Sequence, residues 1–140
     1  MITCDYLDLD VCFATRVNLL LTGPDAVTDA FVKALRPPLQ DPVVILRGGE
    51  PFALPSAAVG TLFLVDVGAL TLEEQRRLYQ WLDGSSGPQV ISTSATSLMP
   101  MVAAGRFHEG LYYRLNTIYI EITARHLASV PLRIPAQRSV

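Results

Sequence analysis

Apolar runs alternate along the chain with segments whose apolar residues recur at helical spacing. The runs are Val17 to Leu21, Val43 to Leu46, Thr61 to Asp66, Gln89 to Thr93 and Thr117 to Ile122. Continuous apolar runs joined by helical segments are the pattern of parallel strands buried on both faces and linked by crossover helices. Between the first two runs, Val27, Ala30, Phe31, Ala34 and Leu35 form a helical stripe over Asp25 to Leu35, and Pro37-Pro38 ends it. Thr71 with Glu74 is a capping box for a helix running to about Leu82. Leu98 to Leu115 predicts one or two helices interrupted around Gly105. Arg47 to Val59, with Gly48-Gly49, Pro51 and Pro55, predicts irregular backbone, and Gly84 to Pro88 a turn.

These elements amount to one α/β domain, which is what 140 residues accommodate. Its core spans about residues 17–122, followed by an irregular tail over 123–140. Half the residues are hydrophobic, only 17% are charged, and the mean hydropathy is +0.33, so some apolar surface is expected to meet a partner. A net charge of −2 lacks the basic footprint that binds DNA or RNA. Cys4 and Cys12 have neither a Cys-x-x-Cys spacing nor a second ligand pair, and His108 and His126 stand apart from carboxylate clusters, so no metal site is expected. The acidic N-terminus does not look like a secretory signal, and no apolar stretch approaches the about 20 residues that span a bilayer. The expected location is the cytoplasm.

Two segments resemble a known family. Gly60-Thr-Leu-Phe-Leu-Val-Asp-Val-Gly-Ala-Leu is similar to the Walker B strand of the sigma-54 transcription activators, G-T-L-F-L-D-E-I-G-E-L. Met101-Val-Ala-Ala-Gly-Arg-Phe-His-Glu-Gly-Leu-Tyr-Tyr-Arg-Leu-Asn116 resembles their A-G-R-F-R-E-D-L-Y-Y-R-L-N segment. The order and approximate separation are also kept, and the resemblance covers about residues 17–122. It implies a three-layer P-loop NTPase-like AAA+ core with a parallel five-stranded sheet of order 5-1-4-3-2.

The resemblance also shows what the catalytic positions have become. A working phosphate loop reads G-x-x-x-x-G-K, with backbone amides cradling phosphates and the Lys reaching the β and γ groups. Gly23-Pro-Asp-Ala-Val-Thr-Asp29 takes its place, so the Lys position is Asp29. An anion there repels what a cation would hold, by several kcal/mol in a partly buried site. Equally, Gly23 to Asp29 is readable as a plain strand-to-helix turn with Asp25 favouring the helix dipole. The metal-organising Asp of Walker B falls on Val65, the adjacent catalytic Glu on Asp66, and the sensor Asn on Ala95. Of the two Arg residues offered to a neighbouring subunit, the first is His108 and the second is Arg114.

The family's sigma-contacting loop, between the phosphate loop and Walker B, has no room in residues 24–59, and the helical lid has little room after Ile122. The resulting expectation is a pseudo-ATPase, without cofactor, that works as a protein-interaction or regulatory module. Its partner would be a protein, another AAA+ subunit or a second copy, met around Arg106, His108, Tyr113 and Arg114. The alternative is an atypical Mg·ATP-binding switch whose missing groups come from a neighbour. Arg47 and Glu50, in the Pro/Gly-rich loop, are lesser candidates for polar contacts, and that loop reads equally as a connector.

Overall fold

The computed structural model describes residues 2–3, 16–35, 39–84 and 88–122. The expectations for Cys4, Cys12, His126, the tail over 123–140 and the lid lie outside those residues.

The five expected strands are present: β2 (Leu19–Thr22), β3 (Val43–Arg47), β4 (Thr61–Val65), β5 (Gln89–Ser94) and β6 (Ile118–Glu121). All pair in parallel in the expected order, and a two-residue strand, β1 (Ile2–Thr3), adds a sixth member beside β6. Among the described residues the helices are α1 (Asp25–Leu35), α2 (Leu72–Gly84), α3 (Met99–Ala103) and α4 (Glu109–Leu115). A 3₁₀ turn (Val67–Ala69) separates β4 from α2.

The central strands are buried on both sides because both sides carry helices. Leu20, Leu62, Leu64 and Val90 pack with Leu78, Leu82, Phe107, Leu111 and Leu115 on the α2 and α4 side. On the other side Leu19, Leu21, Phe63, Ile91 and Ile120 pack with Phe31 of α1 and Leu39. Successive residues of one strand thus face opposite layers, as a pleated strand requires.

The capping box at α2 forms as expected. The Thr71 N–H donates to Glu74 Oε1 at 2.9 Å and the Glu74 N–H to Thr71 Oγ1 at 3.1 Å. The helical segment after β5 is two helices, and Gly105, at φ +75°, occupies the left-handed region between them.

The expected irregular segment after β3 lacks regular structure but is anchored. Phe52 is buried, Leu54 and Val59 pack beside it on the α2 side, and Trp81 Nε1 donates to the Pro55 carbonyl at 3.0 Å. Arg47 and Glu50, both exposed, pair with each other at 3.7 Å.

Candidate functional site

In an open parallel sheet, ligand chemistry gathers at the carboxyl ends of the strands. Here the ends of β2, β5 and β6 border a cleft of about 540 Å³. Its lining includes Thr22, Gly23, Val27, Ala95, Tyr119 and Glu121. Of the residues singled out by sequence, Gly23 and Ala95 meet there, whereas Asp29, Val65 and Asp66 do not line it.

The turn from β2 into α1 is only Gly23-Pro24, because α1 begins at Asp25. Positions 25–29, which a phosphate loop would leave open, are already helix. The Pro24 carbonyl accepts the N–H of Val27 at 2.9 Å and that of Thr28 at 2.9 Å. Gly23 donates its own N–H to the Ser94 carbonyl at 3.1 Å, and Pro24 has none to give. Three amides at the heart of a phosphate cradle are therefore committed within the fold. Thr28, buried, turns its hydroxyl back onto the carbonyls of Pro24 and Asp25.

Packing keeps this turn tight. A Cβ on Gly23, at φ +155°, would stand 2.8 Å from the Ile122 carbonyl oxygen. The Ile122 N–H in turn donates to the Thr22 carbonyl at 2.6 Å, so the ends of β2 and β6 are drawn together.

The other positions singled out by sequence carry structural duties or none. Val65 is partly buried and packs toward the α1 side. Asp66 is exposed in the left-handed region (φ 57°, ψ 56°), its N–H donating to Thr93 Oγ1 at 3.0 Å. Ala95 and Asp29 are exposed. Glu121 is the one charged side chain among the described residues that line the cleft.

The second group of sequence candidates lies away from this cleft, on α4 and the loop before it. His108 caps α4: its Nδ1 accepts the Leu111 N–H at 3.0 Å, and its ring packs on Tyr79 with centroids 4.7 Å apart. Arg114 donates to the Leu82 carbonyl at 2.8 Å and meets Asp83 at 3.4 Å, which places its guanidinium at the C-terminal end of α2. The Arg106 side chain is exposed, while its carbonyl accepts from Gln75. Tyr113 is 58% exposed and meets Tyr112 edge to face. Below His108 is a groove of about 250 Å³ lined by Leu72, Glu73 and Arg76.

Gln75 organises this face and was not singled out by sequence reasoning. Fully buried, it donates through Nε2 to the carbonyls of Leu70 (3.0 Å) and Arg106 (3.2 Å) and accepts the His108 N–H at 2.7 Å. Its signal was present, since an amide at position 75 shares the helical stripe of Leu78 and Leu82. Asn18 plays a similar part at the start of β2, donating to the Arg114 carbonyl at 2.8 Å and accepting the Val90 N–H at 2.9 Å. Asn18 gave no pattern signal, because its partners lie 72 and 96 positions away.

Comparison with known proteins agrees with this anatomy. The sigma-54 interaction domain family matches residues 37–124. The uric acid sigma-54-dependent transcriptional regulator of Escherichia coli K12 is 33% identical over 53% of this chain and 14% of its own length. The acetoin catabolism regulatory protein of Cupriavidus necator is 40% identical over 49% of this chain and 12% of its own. The chain thus spans about one-seventh of these relatives.

Among solved structures, NtrX from Brucella abortus with ATP superposes with a TM-score of 0.65 at 21% identity, covering 91% of this chain and 36% of NtrX. The P-loop NTPase domain of the sigma-54 transport activator from E. coli gives 0.54 at 18% identity, covering 81% of this chain and 91% of that domain. RuvB from Thermotoga maritima gives 0.61 at 17% identity, with 94% of this chain and 48% of RuvB covered. At such identities these likenesses establish the P-loop NTPase, AAA+ fold alone. With the family match extending over more than half of its residues, the chain belongs to the sigma-54 interaction domain family.

Proposed function

We propose that the protein is a non-catalytic member of its family, a pseudo-ATPase that serves as a cytoplasmic protein-interaction module in transcription regulation. The observation that carries this reading is the two-residue turn Gly23-Pro24, with the amides of Val27 and Thr28 bonded to the Pro24 carbonyl. A nucleotide phosphate would have to displace these bonds and unwind the first turn of α1, and Asp29 would repel it. Val65 and Ala95 offer no ligand to Mg²⁺ and no hydrogen bond to an attacking water.

The interaction surface is the face built on Gln75. Leu72, beside His108 in the groove, and Tyr113 of α4 are 54% and 58% exposed, while the polar backbone at positions 70, 106 and 108 is satisfied by Gln75. Exposed apolar side chains over a rigid, hydrogen-bonded support suit a protein partner. That partner is an AAA+ subunit of the same family or a second copy. Arg114, held by Leu82 and Asp83 of its own chain, contributes to the face as a fixed element.

Thermal unfolding with and without millimolar Mg·ATP, alongside light scattering, tests both parts. A nucleotide at 100 times its dissociation constant would add about 2.7 kcal/mol and raise the melting temperature by several degrees. The expected shift is zero. A saturable rise would overturn the pseudo-ATPase reading and favour an ATP-dependent switch.

A further inference from the structure

The cleft at the ends of β2, β5 and β6 survives although its phosphate cradle does not, and its wall chemistry selects a different ligand. Gly23 and Ile122 commit their N–H groups to Ser94 and Thr22, Val27 commits its own to Pro24, and Pro24 has none. The Thr22 and Tyr119 hydroxyls share one hydrogen bond at 2.6 Å, which engages one of their two O–H donors. Ser97 Oγ already accepts the Met99 N–H, and the Ser94 hydroxyl donates to the Thr96 carbonyl. Glu121 remains, a carboxylate in a lining shared with the apolar side chains of Pro24, Val27 and Ile122. Among the described residues no lysine or arginine lines the cleft.

An anion would therefore meet a carboxylate and, among the described lining residues, hydroxyl donors but no cationic side chain. A cation would meet a carboxylate and an apolar wall that can cover its stem. A volume of about 540 Å³ lies within the usual range for small-molecule pockets. We infer that this cleft binds a small organic cation, a guanidinium or ammonium group on a short apolar stem, with the charged head on Glu121 and the stem against Pro24, Val27 and Ile122. The inference rests on the reading that the cleft takes no nucleotide.

The test follows backbone amide chemical shifts in the full chain during titration with butylguanidinium, using butylurea and pentanoate as neutral and anionic matches in shape. Butylguanidinium is expected to shift the amides of Thr22, Gly23 and Ala95 to Ser97 saturably in the millimolar range, with butylurea at least about tenfold weaker. Glu121→Gln, at an exposed position, should weaken butylguanidinium by a similar factor at an unchanged melting temperature. Ala95→Trp, also at an exposed position, should fill the cleft and abolish the shifts with Glu121 still present. Pentanoate binding as well as butylguanidinium, or butylguanidinium binding equally to Glu121→Gln, overturns the inference. No response to any probe overturns it while leaving the pseudo-ATPase reading intact, whereas the same amides responding to Mg·ATP overturns both.

Discussion

The Gln75 face and the strand-end cleft descend from the same family pattern, yet their polar atoms have opposite fates. On the face, one buried amide satisfies the backbone at positions 70, 106 and 108, and His108 caps α4. At the cleft, the backbone of the β2–α1 turn is satisfied by Pro24 and by the Ser94 carbonyl of β5, and Asp29, Val65, Asp66 and Ala95 are exposed or packed for shape. Polar groups that the fold needs persist, because losing one leaves buried partners unpaired. Polar groups that only chemistry needs can be replaced with little effect on folding.

This contrast breaks most visibly at Gln75. Gln75→Ala orphans two carbonyls and one N–H and opens a small cavity, and should lower stability by about 3 kcal/mol in urea unfolding. A loss below about 1 kcal/mol would mean that the face does not depend on its buried amide. Gln75→Glu keeps the acceptor for the His108 N–H but removes both donors, so it should remain clearly destabilised.

Asn18→Ala is expected to cost about 2 kcal/mol, because the Val90 N–H and the Arg114 carbonyl lose their partner. Ser92 sharpens the comparison from the other direction. Its buried hydroxyl, in β5, has no hydrogen-bond partner among the described residues. Ser92→Ala should therefore gain about 1 kcal/mol, read as a higher urea midpoint at unchanged slope.

The smallest effect is predicted at the cleft itself. The double change Thr28→Gly with Asp29→Lys writes the letters of a phosphate loop into this turn, but leaves only Gly23-Pro24 between β2 and α1. Mg·ATP should still leave the melting temperature unmoved. A nucleotide-dependent rise in that variant would show that sequence, rather than turn length, is what the site lacks.

Much of this architecture is legible from residues in order. Apolar runs located five strands, Thr71 and Glu74 announced the start of α2, and the family segments fixed the strand order. Strand and helix ends moved by one or two residues, as at β2, where the run from Val17 becomes Leu19–Thr22. At Asp29, Val65 and Ala95 the residue types alone give the reading, since none carries the group that the resemblance implies there.

What sequence did not disclose is mostly long-range or geometric. Asn18 meets residues on other elements, and nothing in its local pattern distinguishes it from a polar residue at a strand start. The shortness of the turn after β2 depends on how soon α1 begins, and α1 begins at Asp25 because the Pro24 carbonyl accepts the first helical bonds. The loop after β3 reads as Pro/Gly-rich, yet Phe52 and the Trp81 bond to Pro55 pin it down.

β3 forms one margin of the sheet among the described residues, with Ile45 45% exposed. A strand in that position presents a row of backbone donors and acceptors to any other extended chain, and an apolar side chain makes the invitation stronger. Two features shorten the offer. Pro42, just before the strand, cannot donate, and the charge of Arg47 closes its far end. Fibre-like stacking through this margin is thereby confined to a few residues, too short a template to propagate easily.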